Sequence, residues 1–394
     1  MTDYVMNKLA WFYFPARLAW RQLIFDRSKL VAAICGVLFA CVLVFMQLGF
    51  KDSLYASAAS APVKLNGDLF LMHKQSEAMW RPVQFKRSEL MRALGNPAVA
   101  EVYPLYLGLA PFKNIQTQVK RTLMVYGFDP DSQIFNIDEI KSKQTALRLK
   151  DTVLFDEYSR PEFGPVRQLL ETGQNVTEIN DYKMNIVGLF RMGVSFAADG
   201  NVITSDLNFM RIFPRRNHSD IDMGVIKLHP GASAKQVEVE LKNQLNEFIN
   251  IFTYEELLKY EKDYWANTAP IGFIFGFGTV MGWVVGLVIV YQILFTDIAN
   301  HRNEFATLKA MGYEHSYFVR LVFASAFFLA VLGFIPGYLL AVGLYHLAES
   351  QMYMPMPMLL SKIITVFMFI LSMCVMAGLL AIRKLKDANP ADMF

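Results

Sequence analysis

Four methionines at every second position, Met352, Met354, Met356 and Met358, come nearest in this chain to a metal site by residue type and spacing. Thioethers are soft ligands suited to Cu(I). The same residues, stiffened by Pro355 and Pro357, equally suit a tight apolar connection, since methionine is an adaptable packing residue. The histidines, at positions 73, 218, 229, 301, 315 and 346, include no pair at zinc-ligand spacing and have no cysteine nearby. The expectation is that no metal is bound. No glycine-rich loop ending in Gly-Lys-Ser/Thr occurs, so any nucleotide energy has to come from a partner chain. With no catalytic constellation either, the chain reads as non-enzymatic and without a cofactor of its own.

Apolar helices dominate instead. Hydrophobic residues are 54% of the 394, and only 19% are charged, richer in apolar side chains than a typical soluble protein. Four runs, Val31–Phe50, Ile271–Phe295, Leu321–Leu347 and Ile363–Ile382, contain no Asp, Glu, Lys or Arg. Each is near or above the roughly 20 residues that a helix needs to cross a hydrocarbon core of about 30 Å. Carriers coupled to protons or sodium place ionisable groups inside the bilayer. His346, close to the outer end of the third run, is the nearest such group and reads as interfacial.

Basic residues favour the cytoplasmic side of short flanks. Lys8, Arg17, Arg21, Arg27 and Lys29 precede the first run, Arg302 and Lys309 lie between the second and third, and Arg383, Lys384 and Lys386 follow the fourth. The connection 349–361 has neither Lys nor Arg. Both termini are therefore expected in the cytoplasm. The layout is an interfacial helix over 1–29, membrane helices over 30–50, 270–295, 320–348 and 362–382, an external domain over 51–269, a cytoplasmic helix within 296–319, an outer turn over 349–361 and a tail over 383–394. The net charge of +3 is accounted for by the flanks, and nothing suggests nucleic acid. The small residues Ala56 to Ala61 resemble a signal-peptide cleavage site, but the preceding run is too long for one and Pro62 follows directly. Cys35, Cys41 and Cys374 all fall inside the apolar runs, so the external domain stands without disulfides.

Within the first 29 residues, Trp11, Phe12, Tyr13, Phe14, Trp20 and Phe25 interleave with cations, suiting a helix on membrane lipid that is broken near Pro15, or a tail with a few anchors. In the external domain, 68–72, 102–109, 119–127, 184–190 and 224–228 read as strands. Ser88–Leu94 and Ser233–Phe248 read as helices, the second capped by Ser233. The domain is accordingly α+β. From Tyr254 to Trp265 a charged helical run leads back to the membrane as a stalk, interrupted only around Pro270.

Two elements carry the functional expectations. Gly272 and Gly276, then Gly278, Gly282 and Gly286, repeat at four-residue spacing in the second run; small residues let helices approach closely, either within the subunit or, the favoured reading, in a homodimer. Gly333, Pro336 and Gly337 are expected to bend or loosen the third run. Between those runs, 301–313 is amphipathic, with Phe305, Leu308 and Met311 roughly aligned among Glu304 and Lys309, and Gly312 as a C-cap. It suits either a partner's groove or the membrane surface.

The run Val288 to Phe295 followed by Glu304 to Tyr313 closely resembles the DevC type of ABC-exporter permease, within the wider FtsX-like and MacB-like group. Further matches are Phe45 to Phe50, Ser159 to Gly164, Ser195 to Gly200, Tyr264-Trp265 and Arg383-Lys384-Leu385. Asn389-Pro390 departs from the pattern, which more often has an acidic residue before the proline. The resemblance implies an α-helical membrane protein with four transmembrane helices and an α+β periplasmic domain inserted between helices 1 and 2. It implies a homodimer in the bacterial inner membrane, docked on a separate ABC ATPase subunit that binds ATP and magnesium. A periplasmic adaptor (membrane fusion protein) and, through it, a TolC-like outer-membrane channel would complete a glycolipid exporter. Glu304, Phe305, Leu308, Lys309, Met311 and Gly312 would then form the coupling helix, and Tyr254, Tyr264 and Trp265 the stalk. An FtsX-like signalling subunit that regulates an external enzyme is the alternative.

Overall fold

The computed structural model describes residues 2–268, 270–301, 304, 307–308 and 310–386. It separates into a helical unit, Met1–Asp52, Phe273–Glu349 and Met356–Phe394, and a sheet unit, Ser53–Gly272 with Ser350–Pro355.

The helical unit is built from an amino-terminal helix, Thr2–Phe25, and four helices long and apolar enough to cross a membrane: Arg27–Ala58, Pro270–Asn300, Ser316–Met352 and Leu360–Arg383. Each exceeds its apolar run at one or both ends. The break near the amino terminus falls at Asp26, whereas the helix continues through Pro15. Asp26 explains this: its carboxylate accepts the Lys29 amide at 3.2 Å and the Ser28 hydroxyl at 2.7 Å, capping the first span. The Lys29 ammonium and the Ser28 hydroxyl hold that carboxyl well below the usual carboxylate range.

The first span is the packing axis. A Cβ at Gly278 would overlap the Gln47 amide, one at Gly286 would overlap Ala40 and Met373, and one at Gly333 would overlap Val37. At Gly337 it would stand 2.9 Å from the Cys41 Cβ. Glycine therefore brings the second and third spans against the first. The ladder of the second span is filled within one chain at Gly278, Gly282 and Gly286, while Gly276 meets nothing within 4 Å. In the third span, Gly333 and Gly337 serve close approach, and the segment stays helical through Pro336. Val37, Ala40, Cys41, Val44 and Phe45 are accordingly buried.

In the sheet unit the strands are β1 Leu69–His73, β2 Phe85–Lys86, β3 Val99–Lys113, β4 Lys120–Phe128, β5 Thr152–Asp156, β6 Val176–Ile179, β7 Tyr182–Phe190, β8 Asn201–Ser205, β9 Asp220–Ile221, β10 Met223–Leu228 and β11 Ile249–Thr253. Nine form one mixed sheet in the order β11-β1-β10-β3-β4-β8-β5-β7-β6, parallel at β4–β8 and β5–β7. The far end of β3 also pairs with β6, at Phe112–Ile179 and Lys113–Glu178, so six strands close back on themselves. Phe112, Phe155 and Phe163 fill the interior with ring centroids 5.3 to 5.7 Å apart.

The helix expected over 233–248 ends at Gln244, and Ser233 makes no side-chain cap. Asn246 turns the chain by accepting the Phe248 amide at 3.1 Å, and β11 starts three residues later than Asn246. Gly286→Leu is expected to destabilise the full-length protein by about 1–3 kcal/mol through overpacking, and Gly276→Leu by no more than about 0.5 kcal/mol. Unfolding in detergent measures both, and equal losses would contradict the first span as packing axis.

Candidate functional site

The turn between the second and third spans has a definite end. The Met311 amide bonds the Thr307 carbonyl at 3.0 Å, and the Tyr313 amide reaches back to the Leu308 carbonyl at 3.2 Å across Gly312, whose φ is +92°. This is a Schellman stop, in which glycine takes the left-handed position without a Cβ penalty. Of the predicted site residues, Glu304 is exposed and Met311 is 63% exposed, whereas Leu308 packs on the helical core. The expected alignment of Leu308 with Met311 therefore splits: one anchors the turn and the other is presented outward. Phe305 and Lys309 lie outside the described residues, as does the tail from 387.

The predicted stalk is helical over Tyr254–Asp263, then widens into a π-helical turn over Tyr264–Thr268. Thr253 and Glu256 form a capping box that fixes its start. At the π turn, Tyr264 and Trp265 are buried, and Trp80 stacks on Trp265 and meets Tyr264 edge-on, both at 5.9 Å. Below this aromatic cluster Glu261 is 3% exposed and accepts the Met79 amide at 2.7 Å. It borders a cavity of about 40 Å³ shared with Trp80, Tyr126 and Asn201, and the Trp80 indole nitrogen is buried without a hydrogen-bond partner among the described residues. Burial pushes the Glu261 carboxyl up to about 8, opposed by the Met79 bond. The same desolvation raises Asp156, although Asn201, Met192 and Gly193 all donate to it.

Two stretches singled out in the sequence, 159–164 and 195–200, meet in space. Arg160 pairs with Asp199 at 3.0 Å, Arg121 reaches the same carboxylate at 3.2 Å, and Gly200 leaves room for the Ser159 side chain. In the helical unit, Lys362 is 6% exposed, with its ammonium 2.8 Å from Asp52, 3.1 Å from the Pro357 carbonyl and 5.2 Å from the centre of the Tyr345 ring. Tyr345 in turn donates to the Phe45 carbonyl, in space that Gly49 leaves open. Met356 and Met358 pack in or against the same helical core.

Glu261, Trp80 and the Lys362–Asp52 pair were not among the expected site residues. Glu261 had a usable signal, since Leu257, Glu261 and Tyr264 recur on one helical face. Lys362 and Asp52 had none, because both stand at the edges of apolar runs where a charge is ordinarily solvated.

Residues 276–390 match the family model described as FtsX-like permease C-terminal. Among solved structures, the chain is similar to the periplasmic region of MacB from Actinobacillus actinomycetemcomitans, at 11% identity and a TM-score of 0.35, over 50% of this chain and 92% of that one. It is also similar to the extracellular domain of the noncanonic ABC-type transporter YknZ from Gram-positive bacteria, at 11% identity and 0.31, over 48% and 99%. A domain of a putative permease from Porphyromonas gingivalis follows at 12% identity and 0.29, over 46% and 85%. No curated protein matches.

The Glu261 carboxyl gives a signed pH dependence. The folded state keeps its proton up to about 8, while the unfolded chain releases it at the ordinary carboxylate value, so stability falls as pH rises between the two. Glu261→Gln is expected to flatten this part of the decline in thermal unfolding of the full-length protein between about pH 5 and 8. Asp156 and Asp222, also raised by burial, leave a residual slope of the same sign. Identical slopes in the two proteins would contradict the buried acid.

Proposed function

We propose that this chain is the membrane permease subunit of an ABC-type exporter, working as a mechanical transmitter for a separate ATPase. The observation that carries the reading is the FtsX-like permease match over 276–390, which takes in most of the second span, the third and fourth spans and the turn from Glu304 to Gly312. In this reading the turn docks in the ATPase, which binds ATP and magnesium. Its motion passes through the spans to the stalk and the sheet unit on the periplasmic side of a bacterial inner membrane, with both termini cytoplasmic. A homodimer, a periplasmic adaptor, a TolC-like duct and a glycolipid or similar envelope cargo complete the DevC-type version.

The physical features support a lever better than a conduit. The apolar runs carry no Asp, Glu, Lys or Arg, so nothing in them would line a hydrophilic path. The Schellman stop at Gly312 holds the end of the turn rigid, as a docking element requires. The FtsX-like match also favours a second reading, a signalling subunit that switches an external enzyme. Co-purification with an adaptor separates export from binding to a cell-wall hydrolase.

Because Leu308 packs inward and Met311 points out, Met311→Asp is a cleaner test of docking than Leu308→Asp. Met311→Asp and Glu304→Ala are each expected to weaken ATPase capture and permease-stimulated ATP hydrolysis by about tenfold, about 1.4 kcal/mol of docking energy. Full coupling in both variants, with the subunit folded, would remove this turn from the interface.

A further inference from the structure

An open groove of about 990 Å³ lies in the helical unit, between the amino-terminal helix and the beginning of the third span. Arg17, Leu18 and Arg21 of the amino-terminal helix line it, Arg17 and Arg21 one helical turn apart, together with Tyr317 and Arg320 of the third span and Gly312 and Tyr313 before it. Among the described lining residues, Arg17, Arg21 and Arg320 carry guanidinium groups and Glu314 a carboxylate. Glu314 accepts the Ser316 hydroxyl at 3.2 Å, and Arg320 donates to the Ser316 carbonyl at 2.9 Å. Arg17 and Arg21 have no ion-pair partner among the described residues.

Trp20 meets Phe328 edge-on at 5.2 Å, and Ala19 and Leu23 are buried in the helical core. Phe328 lies eight residues beyond Arg320 in the sequence, about 12 Å along a helix. The amino-terminal helix therefore packs against the third span through Trp20, Ala19 and Leu23, and Arg17 and Arg21 are exposed beside this contact. Beyond the groove the third span exposes Phe327, Ile335 and Leu339, an apolar track of the kind that a hydrocarbon chain can follow.

We propose that this groove binds the phosphate headgroup of an anionic phospholipid, with Arg17 and Arg21 as its principal ligands, Arg320 closing the far side and the acyl chains lying along the third span. Guanidinium forks match phosphate oxygens bidentately, and basic pockets between membrane helices on the cytoplasmic side are suited to such headgroups. A groove of this size is within the range of roughly 300–1,000 Å³ typical of small-ligand sites. The inference rests on the membrane reading and is independent of the ATP-driven one.

The test uses the full-length protein in nanodiscs of phosphatidylcholine doped with phosphatidylglycerol, released into mild detergent and examined by native mass spectrometry. The wild type is expected to retain phosphatidylglycerol at least about fivefold over phosphatidylcholine, corresponding to about 1 kcal/mol. The preference is expected to disappear in Arg17→Gln/Arg21→Gln and to return in part in Arg17→Lys/Arg21→Lys, with circular dichroism unchanged. Equal retention in wild type and the glutamine variant would overturn the site. Displacement of the lipid by millimolar inorganic phosphate would overturn it in favour of a free anion. Unchanged lipid retention with lost ATPase capture in the glutamine variant would overturn it in favour of a protein interface.

Discussion

Helices in lipid are not driven together by the exclusion of water, because the surrounding tails are as apolar as leucine, so they associate where their surfaces fit closely. Here that requirement converges on the first span. Glycines of the second and third spans sit against Val37, Ala40, Cys41 and Gln47, where any side chain would collide. The remaining surfaces of those two spans are free to be apolar and exposed, as Phe273, Ile274, Phe277, Ile335 and Leu339 are. Fit against one central helix thus decides the arrangement, and the absence of charge in the apolar runs leaves little else that could.

Two buried charged groups show how the fold treats polarity in its interior. Lys362 is buried but held by a carboxylate, a carbonyl and an aromatic face, the condition under which an interior cation is tolerated. It ties the ends of the first, third and fourth spans together. In the sheet unit Glu261 is buried with one donor among the described residues, the Met79 amide, beside a π-helical turn. Wide turns of this kind recur at functional positions, and this one joins a capped, rigid helix to the residues before the second span. The same segment thus carries an aromatic lock and an acid that prefers its proton.

The spans were legible because lipid demands long apolar runs whatever the fold, and the Gly312 stop because a left-handed residue after an amphipathic turn is nearly always glycine or asparagine. The strands at 69–73 and 223–228 were legible from their Val, Ile, Phe and Leu content. Strands β5, β8 and β11 were missed. A break was expected near Pro15, but the helix runs through it; the capping carboxylate of Asp26 sets the start of the first span instead. The side of the glycine ladder could not be read either, because spacing shows that a close approach occurs but not to which helix.

The central claim, that this chain transmits the work of a separate ATPase, is tested most directly by purifying the tagged full-length protein from its native membrane. The predicted result is stoichiometric recovery of a second chain that carries a Gly-Lys-Ser/Thr phosphate loop and hydrolyses ATP, while this chain alone does not. Recovery with no nucleotide-binding partner, or ATP hydrolysis by this chain alone, would contradict it.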